Sequence, residues 1–301
     1  MSKVLLLSGH DIDVLKNSNI NADICDVYKK GFLYKMAKKN KYCIRYSFEN
    51  WIKAVILYDI IIIFDTYYNK GMIDCICQQN PKIKIIFYCW NTIKTIQQRV
   101  DIIPLFEDKR VEMWSYNIND CEKYGMMYNP QFWNSKLIPV LTKNDIDVSF
   151  IGSPKRRINL LREISEYCDK NNLNTYFYLT NYSCDFNKNT EGKFLPYDEY
   201  ITKIASNSKS ILDLVTDDNY GLTLRPLEAL FLKKKLITNY YDITREPFYN
   251  SNNIYLYGKE NRSINEFLEL TYIEISDDII NSYSCESWIQ RFEKLSNSKP
   301  M

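Results

Sequence analysis

Short, uniformly apolar runs recur along the chain, and helical patterns fill the gaps between them. "KVLLLSG" (3–9), "YDIIIIFD" (58–65) and "KIKIIFYCW" (82–90) are apolar throughout rather than at alternate positions. A strand with one wet face alternates; a strand covered by helices on both faces does not. The pattern predicts parallel sheets in α/β order. Helices are expected over 24–40 and 72–80, and further strands over 42–48 and 110–116. Near 135–146 the rhythm resets at the polar, proline-containing "SKLIPVLTKNDID", and a second series follows. It places strands at 147–153, 174–180, 210–215, 235–239 and 253–258, with helices between them. The chain reads as two Rossmann-like domains, 1–143 and 144–301, with the last helix "CESWIQRFEKL" (285–295) able to pack back on the first. Facing domains of this kind bind ligands beyond the carboxyl ends of their strands, so the expected site is an interdomain cleft.

At 301 residues and 46% apolar content, two such cores are affordable. The formal charge of +2 lacks the basic excess of a nucleic-acid binder, so no nucleic-acid partner is expected. Nine cysteines are scattered without zinc-site spacing and there is one histidine, so no metal site is expected. An odd cysteine count, with an N-terminal apolar run too short for a signal peptide, predicts a cytoplasmic protein. The longest apolar stretch, 54–64, is interrupted by Asp59 and too short to span a bilayer.

The densest chemistry lies in "DDNYGLTLRPLEALFLKKKLITNY" (217–240). Pro226 suits the start of a helix, and Glu228 in the first turn would complement the helix dipole. Those two residues have a purely structural explanation. Arg225 does not, because a cation at a helix N-terminus needs an anionic partner. That partner is Glu228, Asp217, Asp218 or a bound phosphate. "DVSFIGSPKRRINLL" (147–161) repeats the theme: a strand, a turn at Gly152, then Lys155, Arg156 and Arg157 entering a helix. The bland alternative there is a solvated basic turn. The loop after the first strand carries His10, Asp11 and Asp13. His10 can act as a general base, with either aspartate orienting it or replacing it; it can equally cap the turn. Asp65, Trp90 and Asn91 end neighbouring strands at the same rim. Finally, 28–42 sets Phe32, Leu33, Met36 and Ala37 on one helical face among lysines, a pattern fit for an anionic membrane surface or for packing on the sheet.

The segment from "SKSILDLV" through "GLTLRPLEALFLKKKLITN" to "NIYLYG", with "DVSFIGSPKRR" ahead of it, resembles the C-terminal domain of bacterial GT-B glycosyltransferases of the lipopolysaccharide and capsule type. The likeness covers roughly 147–260; over the first domain it is architectural. It implies a cytoplasmic enzyme, at most peripheral on the inner membrane. Such an enzyme moves a sugar from a nucleoside diphosphate sugar to a glycan or polyprenyl-linked glycan, without a cofactor or metal. It also implies a donor site made of Gly152, Lys155, Arg156, Arg157, Leu195, Tyr220, Gly221, Leu222, Thr223, Arg225 and Glu228. Arg225 with Arg156 or Arg157 would hold the diphosphate, Glu228 the ribose, and backbone groups near Leu195 the base. Many retaining members carry a glutamate where Tyr220 stands here, so the likeness does not assign the stereochemistry. The same departure keeps an inactive nucleotide-sugar-binding partner subunit as an alternative, beside an epimerase of the same fold.

Overall fold

The computed structural model describes residues 2–8, 13–15, 18, 20–40, 42–139, 144–180, 195–216 and 221–294, without the side chains of Asp13, Lys155 and Lys294. The chain forms two compact units, 1–130 with 285–301, and 131–284. Residues from Gln131 onward thus group with the second unit, and the break falls ahead of the 143–144 boundary expected from sequence.

The first sheet holds β1 (Val4–Leu7), β2 (Asp23–Cys25), β3 (Ile60–Phe64), β4 (Lys84–Cys89), β5 (Val111–Ser115) and β6 (Met127–Tyr128). Its order is β2-β1-β3-β4-β5-β6, with every neighbouring pair parallel. Around it lie α1 (Phe32–Lys39), α2 (Trp51–Ala54), α3 (Met72–Gln79), α4 (Ile93–Gln97), α5 (Ile103–Glu107) and α6 (Ile118–Tyr124). One sheet face, with Leu5, Ile61, Ile63, Ile85 and Phe87, packs against Trp51, Met72, Ile76 and Ile93. The opposite face presents Phe64, Tyr88 and Trp114, and these receive α12 (Cys285–Lys294). Trp288 stacks on Phe64 at 5.7 Å and meets Tyr88 edge-on at 5.0 Å, while Phe292 meets Trp114 at 4.8 Å. With both faces covered, the strands need no polar side, which is why they read as continuous apolar runs.

Two expected elements take a different form. The helix assigned to 24–40 begins only at Phe32, after Gly31 at φ 118°, and Asp23–Cys25 forms edge strand β2 instead. The strand assigned to 42–48 is a 3-10 turn over Ile44–Ser47. Its buried residues continue as Ile44, Ser47, Phe48, Trp51, Ile52 and Val55, a spacing of three and four that belongs to a helix rather than a strand.

The second unit repeats the architecture. Its strands are β7 (Ile146–Gly152), β8 (Thr175–Leu179), β9 (Ser208–Asp213), β10 (Lys235–Thr238) and β11 (Ile254–Leu256), in the order β11-β10-β9-β7-β8, all parallel. Its helices are α7 (Ile158–Lys170), α8 (Tyr197–Lys203), α9 (Leu224–Phe231), α10 (Ile264–Glu269) and α11 (Asp277–Ser282). Val148, Phe150, Phe177, Leu212 and Ile237 pack on one face against Leu161, Ile164 and Phe267. Among the described residues, no helix is long and apolar enough to cross a membrane.

Candidate functional site

The order of the second sheet reverses between β7 and β9. From β7 the chain moves outward to β8, then returns to lay β9 on the other side. In open α/β sheets such a reversal is where ligands bind, beyond the carboxyl ends of the strands.

The loop after β7 begins at Gly152, whose φ of 153° is the reason for glycine; a Cβ there would meet only ordinary contacts, the nearest at 3.7 Å. A 3-10 turn, Lys155–Arg157, leads into α7. Arg157 turns back over the strand ends. It donates to the carbonyls of Leu214 and Ser153, and its guanidinium lies 5.4 Å from the Phe150 ring centroid. Its Nε is buried and has no hydrogen-bond partner. Burial lowers the Arg157 pKa, Asp213 opposes the shift and Arg225 adds to it, so the two arginines feel each other's charge.

The loop after β9 carries the rest. Asp213, at the last position of the strand, is buried and accepts from Thr223 Oγ1 at 3.0 Å and Thr238 Oγ1 at 3.3 Å. Burial raises its pKa, against the pull of Thr223, Arg157 and Arg225. Asn239 ties the ends of β9 and β10 together through both the N–H and the carbonyl of Val215. Thr223 is the N-cap of α9, but its side chain serves Asp213 rather than the helix. The helix starts at Leu224, not at Pro226 as the sequence suggested. A proline is still tolerated inside the first turn, where no intrahelical N–H is needed. The shift also carries Glu228 past the first turn, away from the dipole role expected of it.

Glu228 has no exposed surface. Its carboxylate accepts from Arg225 Nη1 at 2.7 and 2.6 Å, from the Tyr197 hydroxyl at 2.9 Å and from the Tyr200 hydroxyl at 2.7 Å. Arg225 also donates to the Ile151 carbonyl at 3.0 Å and sits 4.4 Å from the Tyr200 ring centroid. Burial works against its charge, but Glu228 and Tyr200 more than restore it, and the Arg225 pKa ends up raised. Trp133 Nε1 donates to Tyr197 at 2.9 Å and closes the network from behind. Of the partners open to Arg225 from sequence, the structure supplies Glu228. In this arrangement the Glu228 carboxylate is enclosed, so it holds Arg225 and offers no surface to a ribose.

Gly152, Arg157, Gly221, Leu222, Thr223, Arg225 and Glu228 thus lie at or beside the strand-order reversal, with Gly221 and Leu222 buried. Arg156 is exposed, and Leu195 is half-buried just ahead of α8. Lys155 contributes its backbone to the 3-10 turn. Asp13 belongs to a 3-10 turn over Asp13–Leu15. His10, Asp11 and Tyr220 lie outside the described residues, as do Asp217 and Asp218. Tyr197, Tyr200 and Asp213 were not singled out from sequence. The helical spacing of the two tyrosines and the carboxylate closing an apolar strand were the available signals. In the first unit, Asp65 is buried and accepts from Trp90 N at 2.6 Å, Asn91 Nδ2 at 3.0 Å and Arg99 Nη2 at 3.1 Å. Trp90 packs edge-on against Phe64 at 5.5 Å rather than standing free. Among the described residues, no group of three or more His, Cys, Asp or Glu side chains could hold a metal ion.

Solved structures share this architecture. An alpha-glucosyltransferase (AGT) in complex with UDP aligns with a TM-score of 0.60 at 10% identity, over 99% of this chain and all of that one. The fold is GT-B-like. An alpha-glucosyltransferase in complex with UDP and a 13-mer DNA containing an HMU base aligns with a TM-score of 0.53 at 11% identity, over 98% of this chain and 100% of that one. A crystal structure of TarM aligns with a TM-score of 0.52 at 17% identity, over 79% of this chain; the chain spans 55% of that protein. No family model and no curated protein sequence matches the chain.

Proposed function

We propose that this chain is a bacterial glycosyltransferase that moves a sugar from a nucleoside diphosphate sugar to a glycan or lipid-linked glycan in surface-polysaccharide assembly. The observation that carries the reading is the convergence of Arg157 and Arg225 at the strand-order reversal of the second sheet. Both guanidiniums hang from backbone carbonyls at strand ends, so their positions are set before any ligand arrives. A diphosphate there meets two cations whose positions are already fixed. As the sugar leaves, charge grows on the departing phosphate, and preorganised cations offset it without rearrangement. That is the work a divalent cation does in other sites, so turnover in the presence of a chelator belongs to the reading. Glu228, Tyr197 and Tyr200 position Arg225. The loop after β1, with His10, Asp11 and Asp13, supplies the base for the acceptor hydroxyl. The resemblance of 147–260 to capsule and lipopolysaccharide enzymes supports the polysaccharide role. The alpha-glucosyltransferases matched in fold are in complex with UDP, which makes UDP the first nucleotide to try.

The test is thermal unfolding of the purified protein with UDP, GDP, ADP and CMP, each with a chelator. A nucleotide at about 100 times its dissociation constant adds about 2.7 kcal/mol. In a unit of this size that is roughly 5–10 °C. One nucleotide is expected to give such a shift, and its sugar conjugates to be consumed when an acceptor glycan is supplied. A folded protein that no nucleotide stabilises would overturn the reading.

A further inference from the structure

The first unit holds a second basic feature that the donor site does not use. An open pocket of about 550 Å³ lies among Lys38, Lys39, Lys70, Arg99, Asp65 and Asp101. Its carboxylates do little to neutralise it. Asp65 is buried and already committed to Trp90, Asn91 and one nitrogen of Arg99, while the Arg99 side chain stays 46% exposed. Asp101 faces Lys70 only loosely, at 3.9 Å, with both side chains more than half exposed. Lys38 is half-buried with its ammonium 4.0 Å from the Tyr28 ring centroid, and burial lowers its pKa. Four cations against one committed and one loosely paired carboxylate make an anion site. Asn69 Nδ2 donates to the Lys38 carbonyl at 3.1 Å, which fixes the end of α1 to the pocket wall.

The helix that ends there is itself unusual. No residue of α1 is buried. Phe32 is 75% exposed, Leu33 76% and Met36 56%. At about 100° per residue these three fall within roughly 100° of arc, with Lys35 and Lys39 along one edge. Tyr42 and Tyr46 are exposed beside it, the latter on the 3-10 turn that packs against α1. A helix that packs on its own sheet would bury such a face. Here the apolar stripe and two of the pocket's lysines, Lys38 and Lys39, belong to the same eight residues.

We propose that α1 and the pocket at its C-terminal end form one lipid-facing site. Phe32, Leu33 and Met36 enter the interface of an anionic bilayer, and Lys38, Lys39, Lys70 and Arg99 receive the phosphate ester of a lipid head group. A soluble phosphate ester would satisfy the pocket and leave the apolar stripe without a purpose. A nucleic acid would leave it equally idle. As the docking place of a lipid-carried acceptor, the site rests on the transferase reading; the binding test does not.

The full chain is sedimented with vesicles of phosphatidylcholine alone and of phosphatidylcholine mixed with phosphatidylglycerol. Binding is expected to the anionic vesicles only and to weaken with salt. Near an anionic surface each lysine contributes about fivefold, so Lys39→Gln with Lys70→Gln should weaken binding about 30-fold. Phe32→Ser with Leu33→Ser should abolish it. All four positions are exposed, so the melting temperature of each variant should stay that of the parent. Equal binding to both vesicles, no binding to either, or apolar variants that bind like the parent would each overturn the proposal. So would release from vesicles by glycerol phosphate or by duplex DNA at matched phosphate concentration, which would assign the pocket to a soluble ester or to a nucleic acid. A protein that UDP stabilises but vesicles ignore loses only the lipid site; one that binds vesicles but no nucleotide loses only the donor site.

Discussion

Arg225→Ala removes the cation that bonds the buried Glu228 carboxylate. Glu228 has no exposed surface, and Arg225 meets it at 2.6 Å with only 23% of its own side chain exposed. Removing one partner of a buried pair costs about 3–5 kcal/mol, because the other charge is left uncompensated. Tyr197 and Tyr200 still donate to the carboxylate, so the lower end applies, about 3 kcal/mol. In a domain of this size that is a fall of roughly 6–12 °C in melting temperature. The variant will therefore lose nucleotide binding for two reasons, and a second variant separates them. Arg225→Met with Glu228→Gln removes both charges at similar volume and should recover most of the stability. It should still lack the nucleotide-dependent shift. Urea unfolding of the parent, the single and the double variant, each with and without UDP, reads both quantities. A single variant that costs less than about 1 kcal/mol would refute the enclosed ion pair. A double variant that UDP stabilises as fully as the parent would refute Arg225 as a phosphate ligand.

Two further outcomes follow from the same contacts. The folded-state pKa of Asp213 is raised above its ordinary 3.8 by burial, so between 3.8 and the raised value the folded chain binds more protons than the unfolded one, and the stability it contributes falls as pH rises. Asp213→Asn removes this dependence: its stability relative to the parent should climb with pH through that window and level off above it, and a variant whose urea midpoint minus the parent's falls as pH rises would contradict the sign. Trp288→Ala empties a fully buried site between Phe64, Tyr88 and Phe292 and should cost the first unit about 3–5 kcal/mol by calorimetry; a loss under about 1 kcal/mol would mean that α12 does not hold that sheet face.

What the sequence disclosed tracks burial. Strands covered on both faces, such as Ile60–Phe64 and Lys84–Cys89, announce themselves as apolar runs. Asp23–Cys25 does not, because it is three residues long, at an edge and mostly exposed. Ile44–Ser47 was misread because its short apolar run fits strand and helix alike until the buried positions out to Val55 are set beside it. At the site, Arg225 and Glu228 were legible as a pair because they are three apart on one helix. Tyr197 and Tyr200 lie 31 and 28 residues upstream of Glu228, and only the packing of α8 against α9 brings them to it. α9 starts two residues before Pro226, and its N-cap Thr223 gives its hydroxyl to Asp213, a bond that no local pattern encodes.

The two units solve the same problem in the same place. Each sheet reverses its order beside its first strand, and in each the third strand in sequence, β3 or β9, borders the reversal. Each of these strands ends in a buried carboxylate, Asp65 just after β3 and Asp213 at the end of β9. Each carboxylate is tied to the end of the fourth strand, Asp65 through Trp90 and Asn91 after β4, Asp213 through Thr238 on β10. Each faces arginine: Arg99 bonds Asp65, while Arg157 and Arg225 pull on Asp213 electrostatically. Burial raises the pKa of both carboxyls, the sign of a group kept for what it holds rather than for its own solvation. Apolar strands cannot themselves present charge at their ends. A buried aspartate at the rim, satisfied by backbone and hydroxyl donors, puts a negative charge beside the guanidinium groups there. Repeated in both units, that device lies beneath both proposed anion sites, the one for a diphosphate and the one for a phosphate ester.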